Sequence, residues 1–515
     1  LDNVFLGRYA GENTTNCGCN FFGGYGAGRC SDGQHNVFLG TAAGKGGSTV
    51  SSNTGGCNVN IGYTAGWCVT SGCDNVIIGK DTARCIETGC GNVYIGKEAG
   101  LISCMCVCNV FIGAEAGKCS DGSFNVAIGL GAGKGSSTHP DNTGACNVSL
   151  GVCAGKCLVT GCDNVFIGSL AGECHCCGNG NAIIGHDAGK NLCGGDRNVF
   201  LGQYAGKGNS SFTASDSIGI GCGALGLASS SLGVHNIGIG EQTLRSATGL
   251  RNLAIGPHAG MNVSTGCYNI MFGYESGGCN TTGCYNIFLG HLSGKGSQQT
   301  TGNNNISLGL RAGRCISSGA NNVFIGECVG ADAALTGANN IAIGKFSGFK
   351  LTSGANNISM GDCAGKCVTT GCCNVFLGPH AGCTNTTGCD NLYFGACAGK
   401  AATTGCYNIF LGKDAAGTGV VTGTDNIAVG RNSGNALTDG TNNIFIGLRA
   451  AGTGVVTGTD NIAIGRNSGC RLTSGTQNVY IGCDSGVNNC TGCRNVYIGD
   501  KVGKGTGDGA KNNVF

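Results

Sequence analysis

One short phrase governs this chain: an asparagine, then apolar residues two apart, then a glycine, returning at a nearly fixed step from end to end. Starts at Asn75, Asn92 and Asn109, at Asn147, Asn164, Asn181 and Asn198, and at Asn357, Asn374, Asn391 and Asn408 are each separated by 17 residues within their run. With the asparagine as position 0, the unit reads Asn, apolar, variable, apolar, Gly, two variable residues, Ala or Ser, Gly, and a loop that usually closes in Thr-Gly. Steps of 16, 18, 19 and 22 also occur, always in the loop half. Residues 36–74 match residues 125–163, a duplication of about 89 residues. A period in this range is the mark of a stacked repeat architecture.

The segment from Asn164 to Gly168 shows why the unit closes into a coil. Val165, Phe166 and Ile167 are β-branched or aromatic, which favours a strand, and Gly168 ends it. A second glycine, Gly172, suits a corner. A single coil buries little, whereas stacked coils pair their strands in parallel and build a continuous core. The expected fold is all-β: a parallel β-solenoid of about thirty coils of 16–22 residues, mostly 17, in one continuous array over residues 1–515, a window of a longer solenoid. In-register stacking makes the asparagine column a ladder, with Asn75, Asn92, Asn109, Asn164, Asn374, Asn391 and Asn408 bonding from coil to coil.

The residue between the two apolar positions is often aromatic. Phe38, Tyr94, Phe111, Phe166, Phe324, Phe376, Tyr393 and Phe410 all stand there, and alternation puts them on the face opposite their neighbours. A stripe of exposed rings would be a large association surface. It is expected to be covered by a second layer of the same coil or by another chain.

Cysteine is abundant, with 38 residues, a density that favours an oxidising compartment. Cys68 and Cys73 occupy positions 10 and 15 of their unit, as do Cys85 and Cys90, Cys157 and Cys162, and Cys367 and Cys372. Bridges within a coil and bridges between successive coils are both within reach, and the paired columns favour those within a coil. Soft-metal ligands cluster at Cys104, Cys106 and Cys108, and again at Cys174, His175, Cys176 and Cys177, but without paired CxxC spacing. No metal or other cofactor is expected.

Other chemistry finds little support. Charged residues are 11% of the chain and nearly cancel to +2, which argues against a nucleic-acid partner, and no apolar run is long enough to span a membrane. Where 103 residues are glycine, Gly221-Cys222-Gly223-Ala224-Leu225-Gly226 matches a dinucleotide fingerprint by chance, with no βαβ unit around it. No recurring pair of acids and histidines nominates a catalytic constellation, and the chain is expected not to be an enzyme. Thr-Gly columns such as Thr369-Thr370-Gly371 read as a threonine ladder supporting a turn. Sequons at Asn147, Asn305 and Asn357 fall on the ladder and are inaccessible. Those at Asn13, Asn209, Asn262, Asn280, Asn385 and Asn489 fall in loops where a glycan would fit.

Units such as Asn339-Asn340-Ile341-Ala342-Ile343-Gly344 and Asn461-Ile462-Ala463-Ile464-Gly465 resemble the head repeats of trimeric autotransporter adhesins. They are closer to the Asn-rich Thr-Gly repeats of tail-fibre-like proteins from bacteria, phages and large DNA viruses. The resemblance implies a fibrous, self-associating surface protein, trimeric or filamentous. The function expected is structural, in an extracellular filament, appendage or virion fibre stiffened by disulfides. The alternative is an adhesin or receptor-binding fibre whose loops hold a glycan or a cell-surface protein.

Overall fold

A computed structural model describes residues 2–15, 17–46, 54–84, 86–103, 105–136, 142–209, 212–226, 232–296, 299–503 and 509–514. The chain forms two compact units, Leu1–Met261 and Asn262–Phe515. Each is a parallel β-solenoid. Among the described residues the first stacks fifteen strands of the repeat and the second fourteen, each three residues long. No helix of the described residues is long and apolar enough to cross a membrane. The insertions at 47–53 and most of 136–142, and the residues Cys85 and Cys104, lie outside the described residues.

Register is strict. Val165, Phe166 and Ile167 pair with Val148, Ser149 and Leu150 of the coil before and with Ala182, Ile183 and Ile184 of the coil after. Even the 22-residue step from Asn36 to Asn58 leaves Val37 opposite Val59, because the extra residues are confined to the loop. The first unit adds a small second sheet in which Leu192–Gly194 pairs with Phe212–Thr213.

The asparagine ladder is present as expected. Asn75, Asn92, Asn109, Asn164, Asn374, Asn391 and Asn408 are all buried. In the second unit Oδ1 of Asn357 accepts from the backbone N–H of Asn374 at 3.1 Å and from its Nδ2 at 3.0 Å, and that Nδ2 also donates to the carbonyl of Gly388 at 2.8 Å. Each side chain thereby joins its own strand to the previous strand and to the following loop. Asn147, Asn305 and Asn357 are buried as well. Thr369 and Thr386 donate to the carbonyls of Thr386 and Thr403, a ladder at the opposite turn.

The aromatic residues overturn the expected face. Phe38, Tyr94, Phe111, Phe166, Phe324, Phe376, Tyr393 and Phe410 are not an external stripe; all are 2% exposed or less and fill the inside of their own coils. Where successive coils carry rings they stack in short runs, Phe376 on Tyr393 at 5.1 Å and Tyr393 on Phe410 at 4.7 Å, close to the spacing of the strands themselves. The physical reason is a cradle of small residues. A Cβ on Gly382 would lie 2.6 Å from the ring of Phe376, so the glycine six residues after the ring makes room for it. Ala381 beside it is also fully buried. The aliphatic residues on either side of each ring therefore point outward.

A third inward column lies at position 11, where Val69, Ile86, Leu158, Leu351, Val368, Leu437 and Leu472 are buried. Corners are tighter than glycine alone would make them. Non-glycine residues take left-handed φ one to three times in each coil, as at Cys363 (55°) and Cys373 (58°), or His380 (57°) and Asp390 (56°). These bends are held by backbone bonds to adjacent coils, such as His380 N–H to Asp362 O at 2.8 Å and Asp390 N–H to Cys372 O at 3.0 Å.

Candidate functional site

With the interior filled, chemistry is left to columns of side chains along the outside. The most ordered of these are charged. Position 9 lysines reach back one coil to position 6 carboxylates: Lys118 to Glu98 at 2.6 Å, Lys134 to Glu115 at 2.5 Å and Lys207 to Asp187 at 2.6 Å. Glu173 is clasped from both sides by Lys156 and Lys190, at 3.3 and 2.8 Å. The hydrogen bonds from Lys118 and Lys134 hold the carboxyls of Glu98 and Glu115 below their ordinary range. In the same column Trp67 lies between two cations, with the Arg84 guanidinium 4.2 Å and the Lys45 ammonium 5.5 Å from its ring. These contacts brace the coils.

Cysteines form the second set of columns. No two sulfurs among the described residues sit at disulfide bonding distance. The contact the structure makes at position 15 runs between coils: Cys73 Sγ lies 2.8 Å from Cys90 Sγ, one coil on. The backbone N–H of Cys267, Cys372 and Cys389 likewise meets the sulfur of Cys284, Cys389 and Cys406 at 3.1 to 3.2 Å. The expectation favouring bridges within a coil is thus redirected: stacking in register brings like positions together, so Cys73 faces Cys90. Cys157, Cys162, Cys367 and Cys372 are half-buried at the same two corners, as is Cys68. Hydrogen bonding to Cys90, with burial and the nearby Asp74, pushes the Cys73 thiol up to about 12.

Of the two clusters with metal-ligand chemistry, the second comes apart. His175 faces the core, donating from Nδ1 to the carbonyl of Leu192 at 2.8 Å and accepting at Nε2 from Asn181 at 3.3 Å. Burial lowers its pKa, so the ring is neutral. It is a position 11 residue doing the work of a leucine. A different group, missed in the sequence because its members come from two coils, brings ligand atoms of Asp362, Cys363 and His380 within 4.8 Å of one another. His380 Nε2 is 3.9 Å from Asp362 Oδ2, and Cys363 Sγ is 3.8 Å from Asp362 Oδ1. Asp362 is exposed and the other two are half-buried. The signal that would have found it is the recurrence of position 6 in successive coils.

The glycan positions divide. Asn13, Asn209 and Asn262 are exposed. Asn280, Asn385 and Asn489 are fully buried, contrary to expectation, because all three occupy the inward position 11. Asn489 donates to the hydroxyl of Tyr480 at 3.0 Å and leaves no room for a sugar.

The outer face of the sheet is apolar. In the second unit both outward positions of every strand, from Ile270 and Phe272 to Val496 and Ile498, carry an aliphatic, methionine or phenylalanine side chain, with no polar residue among them. Ile341, Met360, Phe394, Ile446 and Ile498 are 36 to 58% exposed. The architecture is that of a parallel β-solenoid. No protein-family model and no curated protein matches the chain.

Proposed function

We propose that this chain is a structural protein of an extracellular filament, appendage or virion fibre, and that its job is length and stiffness. One observation carries the reading: in each unit the in-register strand and the buried ladder residue before it, asparagine in every described coil but that of Ser217, repeat coil after coil, while changes of unit length are confined to the loops. Such an interior resists bending and pulling. Proteins built this way gain stability from nearest-neighbour interfaces and keep gaining as coils are added. The cysteine content supports an oxidising setting, in which disulfides staple the coils and glycans occupy Asn13, Asn209 or Asn262.

Immunogold electron microscopy of unpermeabilised cells and of released particles tests this reading. Label along external fibres is the expected result. Label found only after permeabilisation, in the cell interior, would overturn it.

A further inference from the structure

From the outer face of the sheet, we infer that the chain pairs with a second copy of itself, face to face, with the two stacking axes parallel and each coil opposite its own counterpart.

The first ground is the apolar strip. Fourteen strands of the second unit at about 4.8 Å make a strip roughly 60 Å long and, over three residues, about 10 Å wide. Covering it with a copy of itself removes on the order of 1,200 Å² from water, the lower bound of specific, stable interfaces. The backbone there is already satisfied by the adjacent coils, as in Ile427 N–H to Asn443 O and Gly430 N–H to Leu411 O, both 2.8 Å. Between adjacent described coils no edge is left for an added strand. The rows of side chains repeat at the coil spacing, so a partner that fits along the whole strip must share that spacing, and another copy does.

The second ground is the charge on the two rims. The residue before each ladder asparagine lies along one rim and position 5 along the other. Asp425 and Arg431 flank one strand, Asp460 and Arg466 another, and Arg494 and Asp500 a third, all exposed. In the first unit Asp74 and Lys80 flank theirs. In every one of these coils the two rims carry opposite signs. A twofold axis along the stacking direction lays one rim of a coil against the other rim of the same coil in the partner, so Asp425 meets the partner's Arg431 and Arg494 meets the partner's Asp500. Turning the partner end for end would instead set the rim holding Asp390, Asp425 and Asp460 against itself, which like charges oppose.

This inference rests on the structural reading above, yet a chain that proved monomeric would leave the fibre reading to its own microscopy. The full-length chain, light and nitrogen-15 labelled in equal mixture, is treated with a zero-length carbodiimide and digested. The expected product joins Asp425 of one isotope to Lys413 of the other, which lies on the facing rim of the adjacent coil, with a dimer in sedimentation velocity. The variant Ile341→Glu/Ile446→Glu, whose sites are exposed in a single copy, is expected to keep the circular dichroism of the parent and raise the dimer Kd at least about a hundredfold. A parent that is monomeric at tens of micromolar, a dimer indifferent to the two glutamates, mixed-isotope links only between like rims, or a monomer that instead pellets with neutral phosphatidylcholine vesicles would each overturn the proposal.

Discussion

The side-chain oxygen of Asn374 accepts two hydrogen bonds from Asn391, one from the backbone N–H at 3.1 Å and one from Nδ2 at 3.0 Å. Asn391 in turn accepts both from Asn408, at 3.0 and 3.2 Å, and donates to Gly405 O at 2.8 Å. Replacing Asn391 with alanine leaves the buried backbone N–H of Asn408 and the buried carbonyl of Gly405 without partners, while Asn374 keeps its bond from the backbone N–H of residue 391. We expect Asn391→Ala to lose on the order of 3 kcal/mol in urea unfolding of the full chain, since each orphaned group costs about 1–3 kcal/mol. A loss under about 0.5 kcal/mol would show that the ladder is ornamental.

Two tyrosines in the ring stack make a contrasting pair. The hydroxyl of Tyr393 is buried without a hydrogen-bond partner, whereas that of Tyr480 accepts from Asn489 at 3.0 Å. Burial pushes the Tyr393 hydroxyl well above its ordinary pKa, so it stays protonated. Tyr393→Phe is expected to be neutral or stabilising, while Tyr480→Phe loses about 1 kcal/mol by orphaning the Asn489 amide. The two thermal melts, run side by side, decide it.

Ion pairs on the first unit set an acid limit. Lys118 and Lys134 hold the Glu98 and Glu115 carboxyls below their ordinary range. A lowered carboxylate contributes stability that is present above its unfolded value, near 4.5, and is lost as pH falls through the folded value. Glu98→Gln/Glu115→Gln should therefore melt below the parent at pH 7 and with it at pH 2, and the gap at pH 7 should narrow in 1 M salt. A gap of the same size at both pH values would remove the carboxylates from the account.

The thiols should differ in reactivity once reduced. Cys73 is pushed up to about 12 by its hydrogen bond with Cys90, whereas hydrogen bonds from Thr476 lower the Cys493 thiol. Because the thiolate is the reacting species, iodoacetamide at pH 7.5 should modify Cys493 well before Cys73. Cys73 should catch up only as pH rises toward 12. Peptide mapping by mass over a time course measures both, and equal rates at pH 7.5 would contradict the geometry at the position 15 corner.

The asparagine phrase was enough to read the coil, its period, the parallel register and the ladder, because all four follow from in-register stacking of one repeated sentence. Which face of the strand looks inward was not legible from alternation. Ile409 and Leu411 are as apolar as Phe410 between them, so hydrophobicity alone gave no reason to prefer the ring. The deciding signal lay six residues downstream, in the glycine whose missing Cβ makes room for the ring, as Gly382 does for Phe376. Position 11 went unread because its aliphatic residues sit inside a loop of variable length, where Asn385 and His175 take the place of leucine. The non-glycine bends at position 6 and just before the next asparagine, as at Cys363 and Asp390, have no composition cue at all, since the adjacent coils enforce them.

The asparagine ladder also bears on how such a gene changes. Within each unit the described joints between coils are of one kind, an oxygen of one asparagine taking the N–H groups of the next, with Ser217 standing in for asparagine once, so a copied coil arrives already matched to whatever precedes and follows it. Insertions and deletions of whole units are silent at their seams, while a lesion of half a unit puts the asparagine out of phase. The correspondence of residues 36–74 with 125–163, where 22 of 39 positions agree without a gap, is the trace of one such copying event. Length, in a protein of this kind, is a quantity that unequal recombination can adjust in steps of one coil without redesigning anything.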